Sequence, residues 1–236
     1  MTEQTEAQGA ALTDQGMDAD FPKTERSRIR REAHLGSYAR SDVYTILDAT
    51  PLCHVGYVID GAPFVTPTMH WRKGNRIYWH GSVGSRFLRQ AVGASVCVTC
   101  SVVDGYVLAR SALNHAVNYR SAMLFGHANV IDELEERAAA LQSFTECLFP
   151  GRWETLRAMT EKEVKATSVL WMDIDEATVK SRSGPPSDTD EADYPVWAGV
   201  IPMTTQLEKA VAAPELPADM AVPAGVQSLI VSGRLR

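Results

Sequence analysis

Leu52-Cys-His-Val-Gly-Tyr-Val-Ile-Asp-Gly-Ala-Pro-Phe-Val-Thr-Pro-Thr-Met-His-Trp-Arg-Lys-Gly-Asn-Arg-Ile-Tyr-Trp-His80 is the stretch whose reading decides the fold. Leu52–Ile59 and Phe64–His70 are strand-like runs on either side of Asp60-Gly61, a dipeptide suited to the positive φ values of a tight hairpin turn. Lys73-Gly-Asn75 is a second tight turn, and Arg76–His80 follows as a third strand. The spacing predicts an antiparallel meander rather than alternating β-α-β units.

Working outward, Ser41–Thr50 reads as a helix with Ser41 as N-cap, Val43, Ile46 and Leu47 on one face, and Pro51 as its stop. Downstream, Phe87–Ala91 reads as a helical turn or two, Ala94–Val103 as a fourth strand, Asp104-Gly105 as a turn and Tyr106–Ala109 as a fifth strand. Asn118–Ile131 is long enough for a sixth, bent strand. Asp132 caps a helix running to Phe149, with Leu134, Ala138, Leu141, Phe144 and Leu148 on one face. Thr160-Glu-Lys-Glu163 is a capping box, and Ser168–Ile174 is a final core strand. The order predicts a mainly β (α+β) fold, a six- to seven-stranded antiparallel barrel with a few flanking helices.

Residues 1–27 read as a disordered acidic tail, 28–205 as the folded domain, and 206–236 as an Ala/Pro-rich extension. The basic cluster Arg26, Arg28, Arg30 and Arg31 reads as a solvated patch. The acidic loop with Asp188, Asp190, Glu191 and Asp193 precedes Tyr194–Pro202, an apolar segment expected to dock back on the domain. With 236 residues, 45% of them hydrophobic, the chain can bury a large core without a disulfide or metal staple. The net charge of −6 argues against a nucleic-acid partner. No apolar run approaches the roughly 18 residues that span a bilayer, and the start lacks the pattern of a secretory signal, so a cytoplasmic location is expected. Cys97 and Cys100 fall three apart on a strand, hence on opposite faces, which argues for reduced thiols rather than a metal site.

The chemistry concentrates in Ile77-Tyr-Trp-His-Gly-Ser-Val-Gly-Ser-Arg-Phe-Leu88. Gly81, Ser82, Gly84 and Ser85 allow backbone N–H groups to approach a ligand, and Arg86 adds a charge with a bidentate fork at a helix start, a combination suited to phosphate. Tyr119 and Ser121 share one strand face and Arg120 takes the other, from which it could reach a phosphate at a bend or across a dimer. Pro67 removes a ladder N–H from its strand, with Thr66 and Thr68 on one face and Met69 on Pro67's own face. Unpaired backbone groups there suit the polar edge of a flat ring. Trp197 could stack on an aromatic ligand or anchor the returning segment. His70 reads as a structural histidine before a catalytic one, because no nucleophile–base pair lies near it in sequence.

Taken together, Gly56–Trp71, Tyr78–Arg86, Asp104–Ser111, Asn118–Ser121 with Phe125-Gly126, Gly184–Pro186 and Pro195–Pro202 resemble the pyridoxamine 5′-phosphate oxidase-related, FMN-binding split β-barrel family, above all its nitroimidazole-resistance-type branch. The resemblance implies a homodimer with FMN at its interface. Thr66, Pro67, Thr68 and Met69 would line the isoalloxazine, and Ser82, Ser85 and Arg86, next to His80 and Gly81, would hold the phosphate. Tyr119, Arg120 and Ser121 would lie close to the phosphate, and Trp197 would pack near the flavin. Val231-Ser-Gly-Arg-Leu-Arg236 is not expected to stand in for the basic C-terminal segment of the true pyridoxamine phosphate oxidases, which argues against vitamin B6 oxidation. An FMN-dependent oxidoreductase acting on a small molecule is the leading expectation, with His70 and His80 as the nearest titratable groups. The alternatives are a flavin carrier or sensor without turnover, and a split barrel that binds haem or a deazaflavin. A haem would need an axial ligand, for which His34, His54, His70, His80, His115 and His127 are all available.

Overall fold

The structure, a computed structural model, describes residues 19–188, 193–217 and 219–233. Its strands are β1 (Gly36–Ser37), β2 (Leu52–Ile59), β3 (Ala62–Lys73), β4 (Arg76–Ser82), β5 (Ser95–Leu108), β6 (Ala116–His127), β7 (Asn129–Val130), β8 (Thr167–Asp173), β9 (Glu176–Arg182) and β10 (Gly199–Pro202). The α-helices are α1 (Arg40–Asp48), α2 (Arg86–Ala91), α3 (Leu134–Leu148), α4 (Glu161–Ala166) and α5 (Ala224–Ser232). The meander forms as expected: Asp60 and Gly61 take φ values of 49° and 80°, and the strands they join pair from Leu52↔Met69 to Ile59↔Ala62.

The sheet order is β1-β9-β6-β5-β2-β3-β4-β8-β7, with β10 added to β5. Only Ala128 separates β6, which pairs with β5 and β9, from β7, which pairs with β8. This one bent stretch joins both sides of the sheet into a barrel. Gly126 sits at the seam, where a Cβ would lie 2.4 Å from the Asp173 carbonyl oxygen and 2.5 Å from Met172 Cγ. The barrel is split because β3 pairs with β4 only over residues 70–73 and follows β2 alone over residues 62–69.

The ten strands exceed the expected six or seven for two physical reasons. Short edge strands carry little periodic signal, and β9 was not foreseen at all. In the other direction, Asp104-Gly105 is not a turn: Ser95–Leu108 is one strand of 14 residues with a register shift between Val103 and Gly105. Gly105 lies under β10, where a Cβ would meet the Ile201 carbonyl oxygen at 2.7 Å. The helix starts also move. Ala39 rather than Ser41 is the N-cap of α1, and Glu133 rather than Asp132 that of α3. The predicted capping box is present at α4, with the Glu163 N–H donating to Thr160 Oγ1 and the Thr160 N–H to Glu163 Oε2.

Alternate residues of β2 (Cys53, Val55, Tyr57, Ile59) point into the barrel and meet Ile77, Trp79, Val98 and Leu124. Helix α1 plugs one end with Val43, Ile46 and Leu47. A second cluster lies outside the barrel, where Leu141 of α3 covers Trp71 and Val169. Cys100 faces the interior while Cys97 is only half-buried, as strand alternation requires.

Residues 19–27, expected to belong to a disordered tail of 1–27, are placed against the barrel. Residues 1–18 lie outside the described residues, but Phe21 is a core residue edge-on to Tyr44, Asp20 bridges to Ala39, and Arg26 pairs with Glu176. One large aromatic side chain anchors a segment whose average composition is that of a tail. The 206–236 extension contains α5, and Asp190 and Glu191 of the acidic loop lie outside the described residues. Among the described residues, no helix is long and apolar enough to cross a membrane.

Candidate functional site

Between β4 and α2 the chain is fixed by its own backbone. The Val83 N–H donates to the Ala166 carbonyl at 3.1 Å, and the Ser85 N–H to the Ser82 carbonyl at 2.9 Å. Ser82 Oγ accepts from the Gly84 N–H at 3.2 Å, and Ser85 Oγ caps α2 by accepting from the Leu88 N–H at 3.5 Å. Gly81 lets α2 approach: a Cβ there would lie 3.0 Å from Leu88 Cδ1. Arg86 is exposed and forms no ion pair with any described carboxylate. Its guanidinium stands 5.5 Å from the ring centroid of Phe64, which stacks on Tyr57. Tyr57 in turn contacts Phe87 of α2 and hydrogen-bonds Thr66 Oγ1 through its hydroxyl at 3.1 Å. With only six residues, α2 has a small macrodipole, so the positive charge of this loop is that of Arg86.

The alternation of β3 divides its four candidates. Thr66 and Thr68 are half-buried on the face of Phe64, the side over which Arg86 lies, whereas Pro67 and Met69 are exposed on the opposite face. Over residues 62–69 the β3 edge that leaves β4 has no strand partner among the described residues, so backbone groups are open beside the loop. His70, one residue beyond, is sealed inside the barrel with Nε2 3.1 Å from the Leu47 carbonyl oxygen and 4.0 Å from Cys100 Sγ. A group so enclosed holds α1 to β3 and has no surface to offer a ligand.

Tyr119, Arg120 and Ser121 lie on β6, opposite Val103, Val102 and Ser101 of β5. The order β6-β5-β2-β3 puts them three strands from β3, about 14 Å at the usual strand spacing of ~4.8 Å. One chain therefore does not bring them to the Gly81–Arg86 loop. Arg120 is also engaged already: its Nε and Nη2 donate to the two carboxylate oxygens of Asp104, each at 2.8 Å, and this pairing raises its pKa. The Ser121 hydroxyl donates to the Lys180 carbonyl at 2.9 Å. Trp197 is 65% exposed, just before β10 on the outer half of β5, with its ring against Gly199.

His80 faces the other way. It is half-buried on the outer side of β4, with its ring centroid 4.4 Å from that of Phe144 on α3 and 5.9 Å from that of Trp71. It lines a cleft of about 430 Å³ with Leu141, Phe144, Thr145, Leu156, Arg157, Met159, Glu163 and Thr167. Its Nδ1 is buried with no hydrogen-bond partner among the described residues. Burial pushes the imidazole pKa below its ordinary value, so the ring is neutral near pH 7. Sequence reasoning missed Phe64 as the ring beneath Arg86 and Phe144 as a wall of this cleft. Each was legible only as a strand or helix residue, because its partner is many residues away.

Residues 39–181 match the profile of the pyridoxamine 5′-phosphate oxidase family. Among solved structures, the chain is similar to the flavocytochrome Anf3 from Azotobacter vinelandii, with 42% identity over 87% of this chain and 97% of that one, and a TM-score of 0.83. It is similar to an FAD- and haem-binding protein from Mycobacterium smegmatis, with 38% identity over 85% and 98% of the two chains and a TM-score of 0.81. A candidate 5-nitroimidazole antibiotic resistance protein from Bacteroides thetaiotaomicron shares the fold at 21% identity over 61% of this chain and 85% of that one, with a TM-score of 0.51. No curated protein matches the sequence.

Proposed function

Because this chain belongs to the pyridoxamine 5′-phosphate oxidase-like family of split β-barrels, we propose that it is a flavin-binding oxidoreductase whose Gly81–Arg86 loop holds the flavin phosphate. The observation that carries the reading is Arg86, a guanidinium with no carboxylate partner among the described residues, beside Ser82 and Ser85 on a loop fixed by four hydrogen bonds. A phosphate supplies the bidentate acceptor that this cation lacks among the described residues. Thr66, Thr68 and the open edge of β3 offer donors and acceptors to the ring's polar edge, and Phe64 offers an apolar wall. When bound, flavin supplies two-electron and one-electron redox chemistry, so no side-chain acid–base pair is obligatory. The chain's own residues bind the phosphate, orient the ring and keep one side of it dry.

The part of the flavin recognised here is the phosphorylated riboflavin common to FMN and FAD. FMN is the expectation from the sequence, and the FAD-binding relative brings FAD forward as the competing form. The substrate is a small molecule able to exchange electrons with the ring. We further propose a homodimer: Leu52, Val58, Val65 and Met69 form an exposed apolar strip on β2 and β3, and Tyr119, Ser121 and Trp197 need a second copy to reach a flavin phosphate. Absorbance of the purified protein tests flavin binding, and chromatography of the released chromophore separates FMN from FAD. The expected result is the two-banded spectrum of oxidised flavin, while protein that stays colourless with FMN or FAD added contradicts the reading.

A second reading adds haem. It is favoured by the two relatives at 42% and 38% identity, described as a flavocytochrome and as an FAD- and haem-binding protein, and by the cleft beside His80. A Soret band alongside the flavin bands is its signature.

A further inference from the structure

We propose that His80 is the axial iron ligand of a haem seated in the cleft between β4 and α3, an assignment that rests on the haem reading above. An iron-ligating histidine must be held in orientation by the protein and must open onto a space that the porphyrin can enter. The other histidines fail one of these requirements. His34, His115 and His127 are exposed on the surface. His70 is sealed in the barrel against the Leu47 carbonyl, and His54 stands half-buried on the open outer side of β2. His80 is held against Phe144 and Trp71 and forms part of a cavity wall.

The cleft has the chemistry of a porphyrin site. Its about 430 Å³ falls within the range of small-molecule pockets. Leu141, Phe144 and Met159 give it apolar walls, and Arg157 and Glu163, paired with each other, stand among its lining residues. Phe144 and Trp71, packed on the imidazole at 4.4 Å and 5.9 Å, fix its orientation. Ser82 follows two residues after His80 on β4, so the cleft begins where the phosphate loop begins.

The test is the haem spectrum and stoichiometry of full-length protein produced with haem precursor and titrated with haemin, for wild type, H80A, T145W and H115A. T145W obstructs the cleft from α3 without touching His80, and H115A is the exposed-histidine control. Wild type is expected to bind one haem per chain with a Soret band. H80A is expected to lose affinity by about tenfold or more and shift that band, with added imidazole restoring its position. T145W should lose haem occupancy, H115A should match wild type, and the flavin content of every variant should be unchanged. An H80A variant with wild-type band and affinity overturns the assignment of His80 and leaves the haem reading standing. Wild type that takes up no haem overturns both. If H80A loses flavin as well and is therefore misfolded, T145W decides, and full haem occupancy in T145W overturns the proposal.

Discussion

Two arginines, both singled out as phosphate ligands, meet different fates in the fold. Arg86 stands exposed at the start of α2 with no acidic partner among the described residues and an aromatic ring beneath it. Arg120 is clamped by Asp104 through two hydrogen bonds of 2.8 Å and kept firmly protonated by them. The difference teaches that a positive charge near a candidate site becomes evidence for a ligand only once the fold has declined to neutralise it. Arg120 straps the β5 bulge to β6, whereas Arg86 has no such strap among the described residues.

Charge reversal breaks the comparison hardest. Arg86→Glu should lower flavin affinity by about 100-fold or more, since it removes a charge-assisted bond and adds repulsion, with little change in melting temperature. Equilibrium dialysis of FMN checks it. Arg86→Lys keeps the charge and loses the fork, so a loss of about 5- to 20-fold is expected in the same assay. Arg120→Ala should leave flavin affinity within about threefold and cost about 0.5–1 kcal/mol of stability in urea, because its ion pair is roughly one-third exposed. A larger affinity loss for Arg120→Ala would return that residue to the site. The smallest effect concerns Arg26, another occupied arginine. Its hydrogen bond holds the Glu176 carboxylate below the ordinary range. A depressed carboxylate pKa contributes stability above the unfolded value and loses it as pH falls through the folded one. Glu176→Gln should therefore flatten the acid limb of the stability–pH curve by under about 1 kcal/mol.

Much of this was legible in the chain. Asp60-Gly61 and the period-two runs around it fix β2, β3 and β4, and the residue types of Gly81–Arg86 mark it as the loop to propose for a phosphate. What could not be read depends on distance. Whether Asp104 would reach Arg120 across the bulge, whether Phe21 would enter the core, and whether Phe144 would close a cleft over His80 are settled by tertiary contacts. The sealing of His70 inside the barrel belongs to the same class. Strand parity puts it on the interior side, but only the packing of α1 brings the Leu47 carbonyl to its ring.

The central claim is that Arg86 reads a phosphate, and riboflavin, which lacks one, tests it most directly. Fluorescence titration of wild-type protein and R86A with FMN and with riboflavin gives four affinities. The account predicts that wild type prefers FMN by about 10- to 150-fold and that R86A binds the two alike, at the riboflavin level of wild type. A wild-type protein that binds both equally, or an R86A variant that keeps the full preference for FMN, would contradict it.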